Sequence, residues 1–227
     1  MSLLVLQRSP SVGLGALAEP LEARDIDVTV VDVATTTTVD LDGVTGVLAL
    51  GGDPEGGAML DHEVDVLRRA VEADLPTFGI GFGAATLAVA VGGQVAQRER
   101  PEVGFIPLSR TAVASDDDIA AGWPDGAVMF ALHDHEVSGL PADASQLLIG
   151  SDGPSLWQLG TAYGCALHPE ADADTIRGWL ESDAAAATVA AAGLDLEELQ
   201  AENERRARFS RSAGVPLVLR WVDGLLS

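Results

Sequence analysis

Apolar residues in the first part of this chain fall in short unbroken runs separated by stretches of helical spacing. Leu3-Leu4-Val5-Leu6, ending at Gln7, is all apolar and too short for a helix, which predicts a strand buried on both faces. A glycine turn at Gly13 and Gly15 leads into a helix through Leu14, Leu17, Leu21 and Ala23. Residues 26–33 alternate as a second strand, and residues 44–50 form a third that ends in Gly51-Gly52-Asp53-Pro54. Val64, Leu67, Ala70 and Val71 then recur at helical spacing, and Leu75-Pro76-Thr77-Phe78 reads as a fourth short strand. Glycines 79, 81 and 83 make a tight turn into a helix of small residues over 84–90. This β-α-β-α order with nearly all-apolar strands predicts an α/β fold, a mostly parallel sheet with helices on both faces.

From Gly92 the pattern changes. Short strands over 94–97, 103–108, 128–132, 146–149, 156–159 and 163–167 are joined by turn-rich loops, as in a sheet extension with a small antiparallel flank. After His168 the spacing is helical again, through Ile176, Trp179 and Leu180, then over 194–209 and 217–226. Alanines at 184–187 and 190–192 form the one low-complexity stretch, and no internal repeat is present. With 227 residues and no Pro/Ser/Gly-rich linker, the expectation is one domain over 1–227, with a core at 3–180 and a helical tail at 181–227.

Charge narrows the partners. The chain carries 35 acidic and 13 basic residues for a net charge of −22, and every basic residue is arginine. Such a surface repels phosphate backbones and anionic lipid, so neither nucleic acid nor a membrane is an expected partner. The acid excess without lysine fits a halophile, although an alanine- and arginine-rich actinobacterial chain has a similar balance. Cys165 is the only cysteine, which excludes an intrachain disulfide and a thiolate cluster for zinc and makes the cytoplasm the expected compartment. The apolar start is too short for a signal-peptide core, and no apolar run approaches the ~20 residues of a membrane span.

The chemistry concentrates at Gly79-Ile80-Gly81-Phe82-Gly83. Strand, sharp glycine turn and helix make a nucleophile elbow, yet the central residue, Gly81, has no side chain. Further along stand His133-Asp134-His135-Glu136-Val137-Ser138-Gly139-Leu140-Pro141 and Gly164-Cys165-Ala166-Leu167-His168-Pro169-Glu170.

The order and spacing of these motifs, with Gly51-Gly52-Asp53-Pro54, resemble the class I (triad) glutamine amidotransferases, closest to the GMP-synthase-type amidotransferase domains and their stand-alone relatives. The resemblance spans residues 3–180 and includes Gln7, Ser9-Pro10 and Pro101-Glu102-Val103-Gly104. It implies a flavodoxin-like sheet, no cofactor, glutamine as substrate and a synthetase as partner. In that family a cysteine at the elbow attacks the side-chain amide of glutamine, a histidine moves the proton, and a glutamate orients the histidine. The resemblance assigns the base to His168 and its orienter to Glu170, on one side of an extended segment held straight by Pro169. Oxyanion donors would be the backbone N–H of Phe82 and one from Gly51-Gly52, with Ala85 and His133 lining the substrate side. The cysteine position, however, is Gly81, which cannot form a thioester. Ala85 stands where the family often has a glutamine, and His135 where it has an aspartate. The implied protein is a pseudoenzyme that binds glutamine, glutamate, another small carboxylate or a partner protein. The alternative is a working amidotransferase with an atypical or mutated nucleophile.

Other readings stay open. Cys165 could replace the nucleophile, but strand alternation turns its sulfur away from His168, as in an inert packing cysteine. Gly81 could be a strain-relieving glycine in an unrelated flavodoxin-like domain, and His168 with Glu170 a pair that only ties a strand end to the core. His133 and His135, with His168, have a spacing that could chelate a metal. Gly79-x-Gly81-x-x-Ala84 satisfies a dinucleotide fingerprint, with Glu99 or Glu102 as ribose acceptor. Asp116-Asp117-Asp118 fits a solvated loop or helix start.

Overall fold

A computed structural model describes residues 1–52, 59–150 and 153–226. Asp53 and Pro54 of the glycine turn lie outside the described residues. The chain opens with strand β1 (Ser2–Gln7), a 3-10 turn (Gly15–Leu17) running into helix α1 (Ala18–Glu22), and strand β2 (Asp27–Asp32). Strand β3 (Gly46–Ala49), helix α2 (Asp61–Glu72), strand β4 (Thr77–Ile80) and helix α3 (Phe82–Ala90) follow. Strands β5 (Gln94–Pro107), β6 (Ser109–Arg110), β7 (Val128–Gly139), β8 (Ser145–Ile149), β9 (Pro154–Leu159) and β10 (Ala162–Cys165) come next. The chain then turns helical through α4 (Ala173–Leu180), α5 (Asp183–Ala191) and α6 (Leu196–Gly224).

The main sheet runs β2-β1-β3-β4-β10-β9-β8-β6. Its first five strands are mutually parallel, including β10 beside β4, and β9, β8 and β6 continue it antiparallel. The parallel strands β3 and β4 are buried along their whole length, as strands covered on both faces must be. One apolar cluster on Leu3, Val5, Leu48, Phe78 and Ile80 receives Leu217, Val218 and Trp221 of α6, and another on Leu4, Leu6, Val47 and Ala49 receives Val66, Leu67 and Leu87 of α2 and α3.

Several boundaries differ from the sequence expectation, each for a local reason. The fourth strand is shifted by two residues to Thr77–Ile80, because Leu75 still donates its N–H to Ala70 at the end of α2. The buried face of α2 is Glu63, Val66, Leu67 and Ala70, so Val64 and Val71 sit at its margin and a carboxylate lies on the apolar side. The expected strands at 94–97 and 103–108 are one strand interrupted by a register shift between Gln97 and Glu102. β7 runs past Leu132 through the histidine-rich motif, and β5 and β7 form their own antiparallel ribbon. Since β5 leaves the parallel sheet, the glycines of the elbow open no βαβ unit, and the dinucleotide reading fails. Asp117 accepts N–H groups from Ile119 and Ala120 and a hydroxyl from Tyr163, so the acidic triplet is a turn cap. The two expected tail helices after Leu194 are one helix carrying Pro216 inside it. Packing of Leu217, Val218 and Trp221 into the core offsets the backbone bond that proline removes.

α3 meets the sheet closely because its first turn is small. A Cβ on Gly83 would lie 2.2 Å from the carbonyl oxygen of Ala49, a backbone atom that cannot yield. Gly83→Ala is therefore expected to cost about 3 kcal/mol or more, at or above the usual range for overpacking. Urea unfolding checks this through a lower midpoint at unchanged slope.

Candidate active site

In parallel sheets the carboxyl ends of the strands form the binding edge. Here that edge gathers Arg8 after β1, Gly51 and Gly52 after β3, Gly81 after β4 and His168 after β10. The N–H of Gly81 donates to the carbonyl of Cys165 at 2.8 Å, which carries the β4–β10 pairing one residue beyond the strands and locks the elbow to the histidine segment. Gly81 has φ 56° and ψ −122°, a conformation that strains any residue with a Cβ. It caps α3, with its carbonyl accepting the N–H groups of Ala84 at 3.1 Å and Ala85 at 3.4 Å.

The imidazole of His168 lies against Gly81. A Cβ on Gly81 would be 2.8 Å from Cε1 and 3.4 Å from Nε2 of that ring. The side-chain position at 81 thus faces the His168 ring directly, and the ring occupies part of the space a side chain would need. A Cβ on Gly51 would lie 3.6 Å from both His168 Cε1 and the Phe82 amide nitrogen, so the glycine turn, the elbow amide and the ring converge.

His168 is fixed on every side. Its Nδ1 is 2.8 Å from Oε1 of Glu170, which is fully buried. A carboxylate only accepts, so the pairing assigns the hydrogen to Nδ1 and leaves Nε2 on the elbow side. The Trp179 ring packs edge-on at 4.8 Å between centroids, and Trp179 Nε1 donates to the Ser11 carbonyl at 3.0 Å. The backbone N–H of His168 donates to the Phe130 carbonyl at 2.9 Å, and the Phe130 N–H donates to Ser210 Oγ of α6 at 3.1 Å. Gly214 of α6 seats on Pro169 so closely that a Cβ would come within 2.7 Å of Pro169 Cα.

One element of the expectation needs correction. His168 and Glu170 do not share a side of an extended strand. β10 ends at Cys165, and the segment turns, with the Ala171 N–H donating to the His168 carbonyl at 3.3 Å. The turn brings the carboxylate back to the ring.

A cavity of about 50 Å³, room for a few waters, opens in front of the ring, lined by Gly52, Gly81, Phe82, Ala85, His133 and His168 among others. His133 and His135 both reach it: His133 Nδ1 lies 2.7 Å from the His135 carbonyl, and its buried Nε2 lies 3.1 Å from Glu102, its cross-strand neighbour, without a hydrogen bond. His135 Nδ1 sits 2.5 Å from Asp134, and its ring meets Phe82 edge-on. Among the described residues no group of three His, Cys, Asp or Glu is placed to hold a metal. Cys165 is buried beneath the site with its sulfur toward Met129 Sδ at 3.6 Å, and burial pushes its thiol up to about 12.

The sequence reading missed Arg8 and Glu63. Arg8 Cζ lies 4.5 Å above the Phe82 ring, and its Nε donates to Glu63 at 2.7 Å, with Glu63 wholly buried. Burial pushes the Glu63 carboxyl up, against the opposing charge of Arg8. The available signal was a carboxylate on the apolar face of α2, which a buried cation must answer.

The fold is a flavodoxin-like α/β sheet carrying an elbow, a glycine turn and a His–Glu pair at one edge. The family model for class I glutamine amidotransferases matches residues 14–179, more than half the chain, and the chain belongs to that family. It is 32% identical over 109 residues to a glutamine-hydrolyzing GMP synthase subunit of Thermoplasma volcanium, covering 45% of this chain and 50% of that one. The corresponding protein of Methanospirillum hungatei is 28% identical over 130 residues, covering 56% and 64%. The chain thus spans about half to two thirds of the length of these relatives. Among solved structures, a glutamine amidotransferase of Thermotoga maritima superposes with a TM-score of 0.82 at 19% identity over 98% of both chains. One from Methylobacillus flagellatus gives 0.76 at 22% identity over 98% and 94%. These likenesses bear on the fold.

With its thiol held protonated, Cys165 is expected to resist alkylation by iodoacetamide at pH 8 in the folded protein and to react fully in denaturant. The unfolded thiol ionises near ~8.5, so this group's contribution to stability is complete below that pH and falls away as pH rises toward about 12. Rapid labelling of the native protein, followed by mass spectrometry, would contradict the burial.

Proposed function

We propose that this chain is an amidotransferase-fold protein that does not hydrolyse glutamine and acts by binding, with residues 1–227 working as one domain. The observation that carries this reading is Gly81: the elbow, the base and the orienter are in place, and the attacking atom is absent. Cys165 supplies no substitute, since its sulfur lies under the site and its thiol is held protonated. Water positioned by His168 would be a far poorer nucleophile than a thiolate at a helix N-terminus.

The binding half of the family site persists. The amide groups at the start of α3, beside Gly51 and Gly52, form a backbone anion site that needs no side chain at 81. The small cavity takes the head group of glutamine, glutamate or a related carboxylate. The curated relatives are GMP synthase subunits, and the corresponding partner for this chain is a synthetase to which ligand occupancy is reported. Gly214 on Pro169 and Ser210 on Phe130 connect α6 to the site, which makes α6 the element best placed to sense it.

The test pairs ammonia release with thermal unfolding, both in high and low salt. The wild type is expected to release no ammonia from glutamine above the blank. Glutamate or glutamine at about 100 times its Kd adds about 2.7 kcal/mol of stability, a rise of roughly 5–10 °C in Tm for a chain of this size. A carboxylate-free analogue gives none. Gly81→Cys, whose Cβ 2.8 Å from His168 Cε1 requires the ring to shift against its restraints, is expected to gain only slow release. Turnover by the wild type would overturn the reading in favour of an atypical nucleophile, and absence of any ligand shift would remove its binding half.

A further inference from the structure

The charge on α6 is segregated along its length. Glu197, Glu198, Glu202 and Glu204 occupy its first part, and Arg205, Arg206, Arg208 and Arg211 place four of the thirteen basic residues within seven positions immediately after. On a molecule with net charge −22 this is a local reversal of sign. Leu194, Glu198, Ala201, Arg205 and Phe209 recur at spacings of three and four, and so share one exposed face of the helix and the residues leading into it. Leu194 is 45% exposed and Phe209 52% exposed, two of the few large apolar side chains left in solvent among the described residues. Beside the acidic part lies a surface groove of about 490 Å³ lined by Leu194, Asp195, Glu198, Leu199, Glu202 and Arg205.

We propose that this face is a self-complementary docking surface for a second copy of the chain, with α6 packed antiparallel on α6 of the copy. About a two-fold axis between Ala201 and Glu202, Glu198 of each copy faces Arg205 of the other and Leu194 faces Phe209, while Glu197 lies near Arg208. The small side chain of Ala201 at the centre permits close approach. Phe209, whose ring already carries the Arg208 guanidinium 4.6 Å above its centroid, seats in the groove of the opposite copy. The segment from 194 to 209 covers about 22 Å, some four helical turns.

The charge pattern selects the occupant. A uniformly acidic partner would answer the arginines but set like charges against Glu197 and Glu198; a basic partner would do the reverse. Only a surface that carries both signs in opposite order answers both, and this helix run backwards is such a surface. Long-range repulsion between two copies is screened at about 0.15 M salt, where the Debye length is ~8 Å, whereas the facing pairs act at contact.

Sedimentation velocity over a concentration series at about 0.15 M salt tests this. The wild type is expected to dimerise reversibly. Arg205→Glu/Arg208→Glu and Glu197→Arg/Glu198→Arg each place like charges face to face and are expected to raise the dimer Kd at least about tenfold. Mixed together, the two variants are complementary at both contacts, and the mixture is expected to regain the wild-type Kd. Phe209→Ala, which leaves the charges intact, is expected to weaken the dimer as well, and unchanged circular dichroism and Tm show that each variant is folded. A wild type that stays monomeric, a dimer that none of the variants weakens, or a mixture that fails to recover would each overturn the proposal.

Discussion

The pairing of β4 with β10 is the contact on which the site depends. It joins segments more than eighty residues apart in sequence, runs Thr77 to Ile80 parallel with Ala162 to Cys165, and ends in the Gly81 N–H to Cys165 C=O bond. Both strands end at the same edge, so the elbow and the histidine turn emerge side by side. The pairing also places Cys165: its backbone carbonyl anchors the elbow, while its side chain points into the apolar core toward Met129.

Around that edge, restraint comes from both faces of the sheet. On one face α3 is drawn in by Gly83 against Ala49, which sets the direction of its first amides. On the other, α6 presses Gly214 on Pro169 and ties Ser210 to Phe130, whose carbonyl holds the His168 N–H. The His168 ring is clamped by Glu170, Trp179 and the two glycines, a degree of fixing suited to general-base chemistry. Fixing alone does not make a catalyst. The ring packs against Gly81, and on the proposed reading the restraint serves a geometry whose reacting atom is missing.

Much of this was legible in the residues. The all-apolar runs marked the parallel strands, and Gly79, Gly81 and Gly83 marked the elbow, because a tight strand-to-helix turn and close helix seating both demand glycine. His168 and Glu170 were legible as a pair but not in their geometry: a spacing of two fits a strand and a turn alike, and the end of β10 decided for the turn. The length of β7 was hidden by His133, Asp134, His135 and Glu136, polar residues that look like a loop until their cross-strand partners on β5 are known. Arg8 and Glu63 were harder to find: the carboxylate on the apolar face of α2 hints at a buried partner, but only the sheet edge brings the cation over Phe82 and beside it.

The central claim is that a class I amidotransferase framework here presents no nucleophile to glutamine. The most direct measurement is the intact mass of the folded wild-type protein after exposure to an electrophilic ketone analogue of glutamine, with and without excess glutamine. The account predicts an unchanged mass in both cases. A stoichiometric adduct that glutamine suppresses would contradict it, and the modified residue would identify the nucleophile that the geometry does not provide.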